Sequence, residues 1–158
     1  MRKILKPGAF LFLLISSIFL TTCDIFEDAD DPCNDTDFKI SKTRSITVST
    51  SWLSDDNNSI NINDLDVRIE FHKIACGFDE YKPGGDFTFT GVTNEDGVYT
   101  SGRVNYNIRN SNDRIILIIS RQRNGIWEQV EYEEFSYRED DFGNDGTWNS
   151  LIGYTFFL

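Results

Sequence analysis

Histidine is almost missing from this chain: His72 is the one imidazole in 158 residues. A zinc centre or a histidine-based catalytic dyad would need partners for it, and no zinc-ligand spacing, Gly-x-Ser-x-Gly elbow, Gly-rich phosphate loop or cofactor-lysine motif occurs. Bases are scarce as well, 15 Lys and Arg against 26 Asp and Glu, for a net charge of −11. Such a balance argues against binding to nucleic-acid phosphates, which takes clustered Lys and Arg. There is no long hydrophobic run. The longest apolar stretch, residues 9–20, falls short of the roughly 20 residues needed to cross a bilayer core. Nor does any amphipathic helical pattern follow that stretch. Cysteine is limited to Cys23, Cys33 and Cys76.

What the chain does have is alternation. Phe38, Ile40, Ile46, Val48 and Trp52 share one parity, with Lys39, Ser41, Thr47, Ser49 and Ser51 on the other, the pattern of a half-buried strand. Ile60 and Ile62 precede Leu65, Val67, Ile69 and Phe71 on the opposite parity, so a bulge or bend is expected near Asn63 and Asp64. Residues 77–86 read as a loop. Phe87 and Phe89 alternate with Thr88 and Thr90, and residues 93–97 read as a hairpin turn with Gly97 at positive φ. Val104, Tyr106 and Ile108 point one way, Arg103, Asn105, Asn107 and Arg109 the other. Residues 115–119 are apolar throughout, β-branched and short, which predicts a central strand buried on both faces. Asn124 and Gly125 suit a type I′ turn. Trp148, Ile152, Tyr154, Phe156 and Leu158 share a last inward face. The expectation is an all-β chain, an antiparallel β-sandwich of Ig-like or jelly-roll type with seven to eight strands.

The N-terminal region has its own logic. Arg2, Lys3 and Lys6 precede the apolar run, which ends in Leu20, Thr21, Thr22 and Cys23. A charged start, a short apolar stretch and small polar residues form a secretory signal. With the Cys that follows, it resembles a bacterial lipoprotein signal peptide, although Thr22 stands where Gly, Ala or Ser is usual. The resemblance implies cleavage after residue 22, lipid on Cys23 and membrane attachment through that lipid. The mature chain would carry 12 bases against 26 acids, a charge of −14, and would repel anionic headgroups. Asp24, Glu27, Asp28, Asp30, Asp31, Asp35 and Asp37 follow without a base before Lys39. Blocks like this stay solvated as tethers. An acid-rich stretch after the lipidated Cys also resembles the surface-export signal of Bacteroidota lipoproteins, implying an outer-membrane protein facing outward. In enterobacteria, Asp24 after the Cys would instead imply inner-membrane retention, and a periplasm-facing placement stays open. The expected organisation is a signal at 1–22, a lipidated tether at 23–36 and a sandwich domain at 37–158.

In that exported setting Cys33 and Cys76 are the remaining thiols, and thiols in an oxidising compartment pair. A bridge between them would close a loop of about 43 residues and contribute on the order of 3–4 kcal/mol. Two free thiols are the alternative. A fainter likeness runs from Trp52 through Asp64, Leu65, Asp66 and Val67 to Asp96, Gly97, Val98 and Tyr99, then Val104, Asn105 and Tyr106. These residues resemble jelly-roll modules related to bacterial pre-peptidase C-terminal domains, which implies a non-catalytic accessory module for adhesion or carbohydrate contact.

Candidate sites are few. Asp55, Asp56, Asp64 and Asp66, among Asn57, Asn58, Asn61 and Asn63, are the oxygen-rich residues that calcium takes; the same residues favour turns without a metal. Residues 141–146 match the first half of an EF-hand loop but lack its ligands at Gly143 and Ile152. His72 falls on the polar parity of its strand and is expected at the surface. Trp127 stands out of phase with Val130 and Tyr132, which makes it the expected exposed aromatic for stacking on a sugar, unless a bulge intervenes. Trp52 and Trp148 fall on inward parities. The functional expectation is a lipid-anchored, non-enzymatic binding or structural module without a cofactor, with calcium the one ion the residues suggest. A carbohydrate-binding accessory of a glycan-uptake system and a small acid-pair hydrolase are the alternatives.

Overall fold

In the computed structural model, residues 42–55, 59–75 and 85–158 are described. They fall within one unit of the chain, Pro32–Leu158. Cys23, Cys33, Cys76 and Asp56 lie outside the described residues, and with them the expected lipidation, disulfide and one expected calcium ligand.

Among the described residues eight strands form: β1 (Lys42–Leu53), β2 (Asp66–Ile74), β3 (Phe87–Val92), β4 (Val98–Thr100), β5 (Val104–Ile108), β6 (Arg114–Arg123), β7 (Ile126–Ser136) and β8 (Thr147–Phe157), with a 3₁₀ turn at Glu139–Asp141. They build an all-β sandwich of two sheets. Sheet A holds β1, β4, β5 and β8, and sheet B runs β3-β2-β6-β7. Alternation explains the core. Ile46, Val48 and Trp52 of β1, Val67, Ile69 and Phe71 of β2, and Ile115, Leu117 and Ile119 of β6 are fully buried between the sheets. Trp52 stacks on Phe156 of β8 with ring centroids 4.4 Å apart, and its Nε1 donates to Thr50 Oγ1 at 3.0 Å. As residues 115–119 predict, β6 is central and buried on both faces.

Turn chemistry behaves as the sequence suggests in two places. Asn124 and Gly125 both take positive φ, 52° and 78°, closing the β6–β7 hairpin as a type I′ turn. Asp64, at φ 54°, makes the bend that reverses the side-chain phase before β2. Gly97 has the expected positive φ of 70°, and a side chain there would meet the Trp52 carbonyl oxygen at 2.6 Å. That turn is not a sheet hairpin, however: β3 belongs to sheet B and β4 to sheet A, so residues 93–97 carry the chain across the sandwich.

One pairing corrects the antiparallel expectation. β8 runs parallel to β1 over its whole length, from Thr43 opposite Thr147 to Leu53 opposite Phe157. A hairpin imposes antiparallel order on its strands, but β8 arrives from the opposite sheet through residues 137–146 and is under no such constraint. Since β8 occupies one whole edge of β1, β4 and β5 share the other end to end, at Ser49–Ser51 and Lys42–Ile46. Sheet A is therefore three strands wide and sheet B four.

Candidate functional site

Directly paired residues in a sheet point to the same face, so the registers define what each outer surface displays. On sheet A, β1 turns Thr43, Ser45, Thr47, Ser49 and Ser51 outward. Its neighbours add Asn105 and Asn107 from β5, Thr100 from β4, and Asn149, Leu151, Gly153, Thr155 and Phe157 from β8. Among the described residues this face holds no acidic residue, although the chain has 26. Its polar groups are hydroxyls and amides, each able to donate and accept, with the Arg103 guanidinium at its margin. Ser45 Oγ donates to Asn105 Oδ1 at 2.6 Å, and the Ser49 and Thr100 hydroxyls meet at 3.1 Å. Leu151 and Phe157 stand out from it, 69% and 57% exposed. A depression of about 350 Å³ lies among Thr47, Arg103, Asn149, Ser150 and Leu151. Chemically, such a surface can hydrogen-bond a neutral, hydroxyl-rich ligand and pack its apolar patches. No general base is placed on it.

The outer face of sheet B differs. The registers put Arg68, Glu70 and His72 of β2 beside Ser120, Ile118 and Ile116 of β6, with Tyr132 and Glu134 of β7 beyond. Its middle is closed: Glu70, His72, Ile116, Ile118 and Ser120 are all buried. Arg68 Nε lies 3.0 Å from Glu70 Oε2. His72, expected at the surface, has the expected parity yet is only 7% exposed, like its neighbours Ile116 and Ile118 on the same face. Its Nδ1 lies 3.3 Å from Asp86 Oδ1.

Trp127 belongs to this closed face. It sits outside the main core as expected, but it is half-buried and the Arg68 guanidinium covers its ring 4.8 Å from the centroid. The phase argument failed at a β-bulge. Ile119 pairs with Glu131 while Ser120 pairs with Gln129, which leaves Val130 as the extra residue. Val130 consequently packs on the core, and Tyr132 shares the outer face with Trp127 at 47% exposure.

At the end of the sandwich formed by β1 and β8, Arg44 is buried at 2% exposure on the inward face of β1. Its Nη1 donates to the carbonyls of Ser45 and Trp148 at 3.0 and 3.1 Å, and its Nη2 to Ser150 Oγ at 2.7 Å. The guanidinium lies 4.1 Å over the Trp148 ring, and Tyr137 and Phe142 pack edge-on against that ring at 6.0 Å. Burial lowers the pKa of Arg44. Burial also pushes the Tyr137 hydroxyl up to about 12, with Arg44 beside it pulling partly back. Arg44 shares the parity of Ile46 and Val48, so its inward placement follows from alternation. Nearby, an open depression of about 600 Å³ is lined by Lys42, Glu139, Asp140, Phe142, Gly143 and Asn144.

Of the expected calcium residues, Asp55, Asp64 and Asp66 are described. Asp55 and Asp64 donate their backbone N–H groups to distant segments, to Leu158 O at 2.7 Å and Thr93 O at 3.1 Å, and Asp66 opens β2 opposite Val92. Among the described residues no three His, Cys, Asp or Glu side chains form a group that could hold a metal. In the EF-hand-like loop, Asp145 accepts from Thr147 N and Oγ1 at 3.0 and 2.8 Å, and these hydrogen bonds lower its pKa. No protein-family model, curated protein or solved structure matches the chain.

Proposed function

We propose that the protein is a non-catalytic binding module, tethered to a membrane through lipid on Cys23, that presents the outer face of sheet A to a neutral polyhydroxylated ligand of the glycan class. The observation that carries this reading is the acid-free hydroxyl and amide surface on a chain of net charge −11. Uncharged donors and acceptors suit a ligand that offers many hydroxyls and no charge. The accessible apolar patches at Leu151 and Phe157 suit the C–H faces of sugar rings. On the sheet B face, which the Trp127 expectation would have chosen, the Trp127 ring already lies under Arg68, and the middle of the face is buried.

Two experiments test the reading. Electrophoresis of the chain through gels containing neutral polysaccharides (starch, xylan, mannan and laminarin) is expected to show retardation by at least one, with none by polygalacturonate. No retardation by any neutral polymer would refute glycan binding. Separately, wild type expressed in a bacterial host is expected to partition into detergent while Cys23→Ala stays in the aqueous phase. Equal partitioning would refute the lipid anchor.

A further inference from the structure

The sandwich has one unfinished side. Sheet A is three strands wide and sheet B four. At one side the widths match: Phe87 of β3 packs edge-on against Tyr106 of β5 at 5.6 Å, and Gly91 of β3 abuts the Tyr99 ring of β4. The surplus strand is therefore β7, which extends past β8 at the other side. Burial reports the same seam. Inward residues of β1, β2 and β6 reach 0% exposure, whereas Ile152, Tyr154 and Phe156 of β8 and Val130 and Phe135 of β7 face inward yet are only half-buried. The outer edge of β8 pairs with no strand among the described residues.

The two edges are built differently. β7 carries four Glu and a bulge, devices that discourage strand pairing. The side chains of β8, residues 147–157, include no charge and no proline, and the strand has no bulge against β1, so a regular ladder of eleven residues is unpaired among the described residues. Beside that ladder, β7 directs Glu131 and Glu133 inward, opposite Ile119 and Leu117. Glu133 accepts a hydrogen bond from Tyr154 Oη, and Glu131 accepts one from the Tyr132 N–H. Neither forms an ion pair among the described residues.

We propose that this seam is a strand-docking site for a partner segment that adds to the free edge of β8, lies over β7 and carries Lys or Arg at alternate positions. The main-chain ladder would supply affinity, and the inward side chains would supply selectivity. Two adjacent inward acids one strand repeat apart call for bases at positions i and i+2, with neutral residues between them to continue the outer face of sheet A. A second copy of this chain offers no such segment from its own edge, because its β8 has no base. The inference stands apart from glycan binding, which concerns the outer face and not the edge.

The test uses the full chain in detergent and a capped fluorescent peptide of four Lys-Thr repeats. Hydrogen exchange is expected to slow across 147–157 on adding peptide. Affinity at low salt is expected to fall about fivefold to tenfold in Glu131→Gln/Glu133→Gln. It should hold in Glu95→Gln/Asp96→Asn, which removes the same charge from the exposed 93–97 turn. A peptide of four Glu-Thr repeats should not slow exchange. No slowing at about millimolar Lys-Thr peptide would overturn the proposal, as would equal losses in the two double variants. Slowing across 147–157 that grows with protein concentration alone would assign the edge to a second copy and overturn it as well.

Discussion

The two outer faces of the sandwich have opposite characters. Sheet A turns hydroxyls, amides and a few apolar side chains outward and, among the described residues, no acid. Sheet B turns Arg68, Glu70, His72 and Glu134 outward, and then buries most of its middle, Ile118 included, at 5% exposure. Both faces follow from the same alternation of inward and outward residues. One outward set contributes to stability as a second buried layer. The other carries side chains that stay largely accessible, Leu151 and Phe157 above all. A parity pattern alone therefore does not tell a solvent face from a covered one.

The largest expected effect sharpens that comparison. Ile118→Ala, although on an outer face, should cost about 2–4 kcal/mol in urea denaturation, like a core truncation. Thr155→Ala on the outer face of sheet A should stay within about 0.5 kcal/mol. Similar costs at the two sites would mean the faces are alike.

Next comes pH. The Tyr137 hydroxyl is buried and its pKa raised to about 12 from an ordinary value of 10. The unfolded chain therefore ionises first. The stability this group contributes is complete below pH 10 and is lost as pH rises toward 12. The loss is on the order of 2–3 kcal/mol. Burial raises the pKa of Tyr106 and Tyr154 as well, so the whole domain should weaken in alkali. Tyr137→Phe should flatten the slope of stability against pH between 10 and 12; an unchanged slope would contradict the buried-hydroxyl account.

Smaller still is Trp127. Removing a half-buried ring that stacks with Arg68 should cost about 1 kcal/mol. Trp148→Ala, which strips the Arg44, Tyr137 and Phe142 contacts, should cost about 3 kcal/mol. Equal costs would place Trp127 in the core after all.

Much of the fold was legible in the sequence because strand burial has period two. The inward residues of β1, β2, β5 and β6, the buried run 115–119 and the Asn124-Gly125 turn all follow from local pattern. Arg44 was equally legible, since an even position between Lys42 and Ile46 must face inward. Three features were not. The bulge at Val130 carries no glycine or other local mark, so the outward phase of Tyr132 could not be read. Pairing direction has no signature within a strand, so the parallel β1–β8 ladder was invisible. Nor does alternation say which strands share a sheet, and that decides which polar residues collect on one face. The acid-free surface of sheet A comes from four strands scattered over residues 43–157 and exists only once their registers are known. The calcium expectation rested on residue types that turns also favour. Asp64 is at a bend, where its left-handed backbone is reason enough for an Asp.

The most direct test of the central claim places the same chemical change on each face. Asn149→Asp and Gln129→Glu both convert an exposed amide into a carboxylate, the first on sheet A and the second on sheet B. Affinity for the retarding neutral polysaccharide would be measured for both variants and wild type by calorimetry. The account expects Asn149→Asp to lose at least about tenfold, roughly 1.4 kcal/mol, while Gln129→Glu binds like wild type. Equal affinities across all three proteins, or a loss confined to Gln129→Glu, would contradict it.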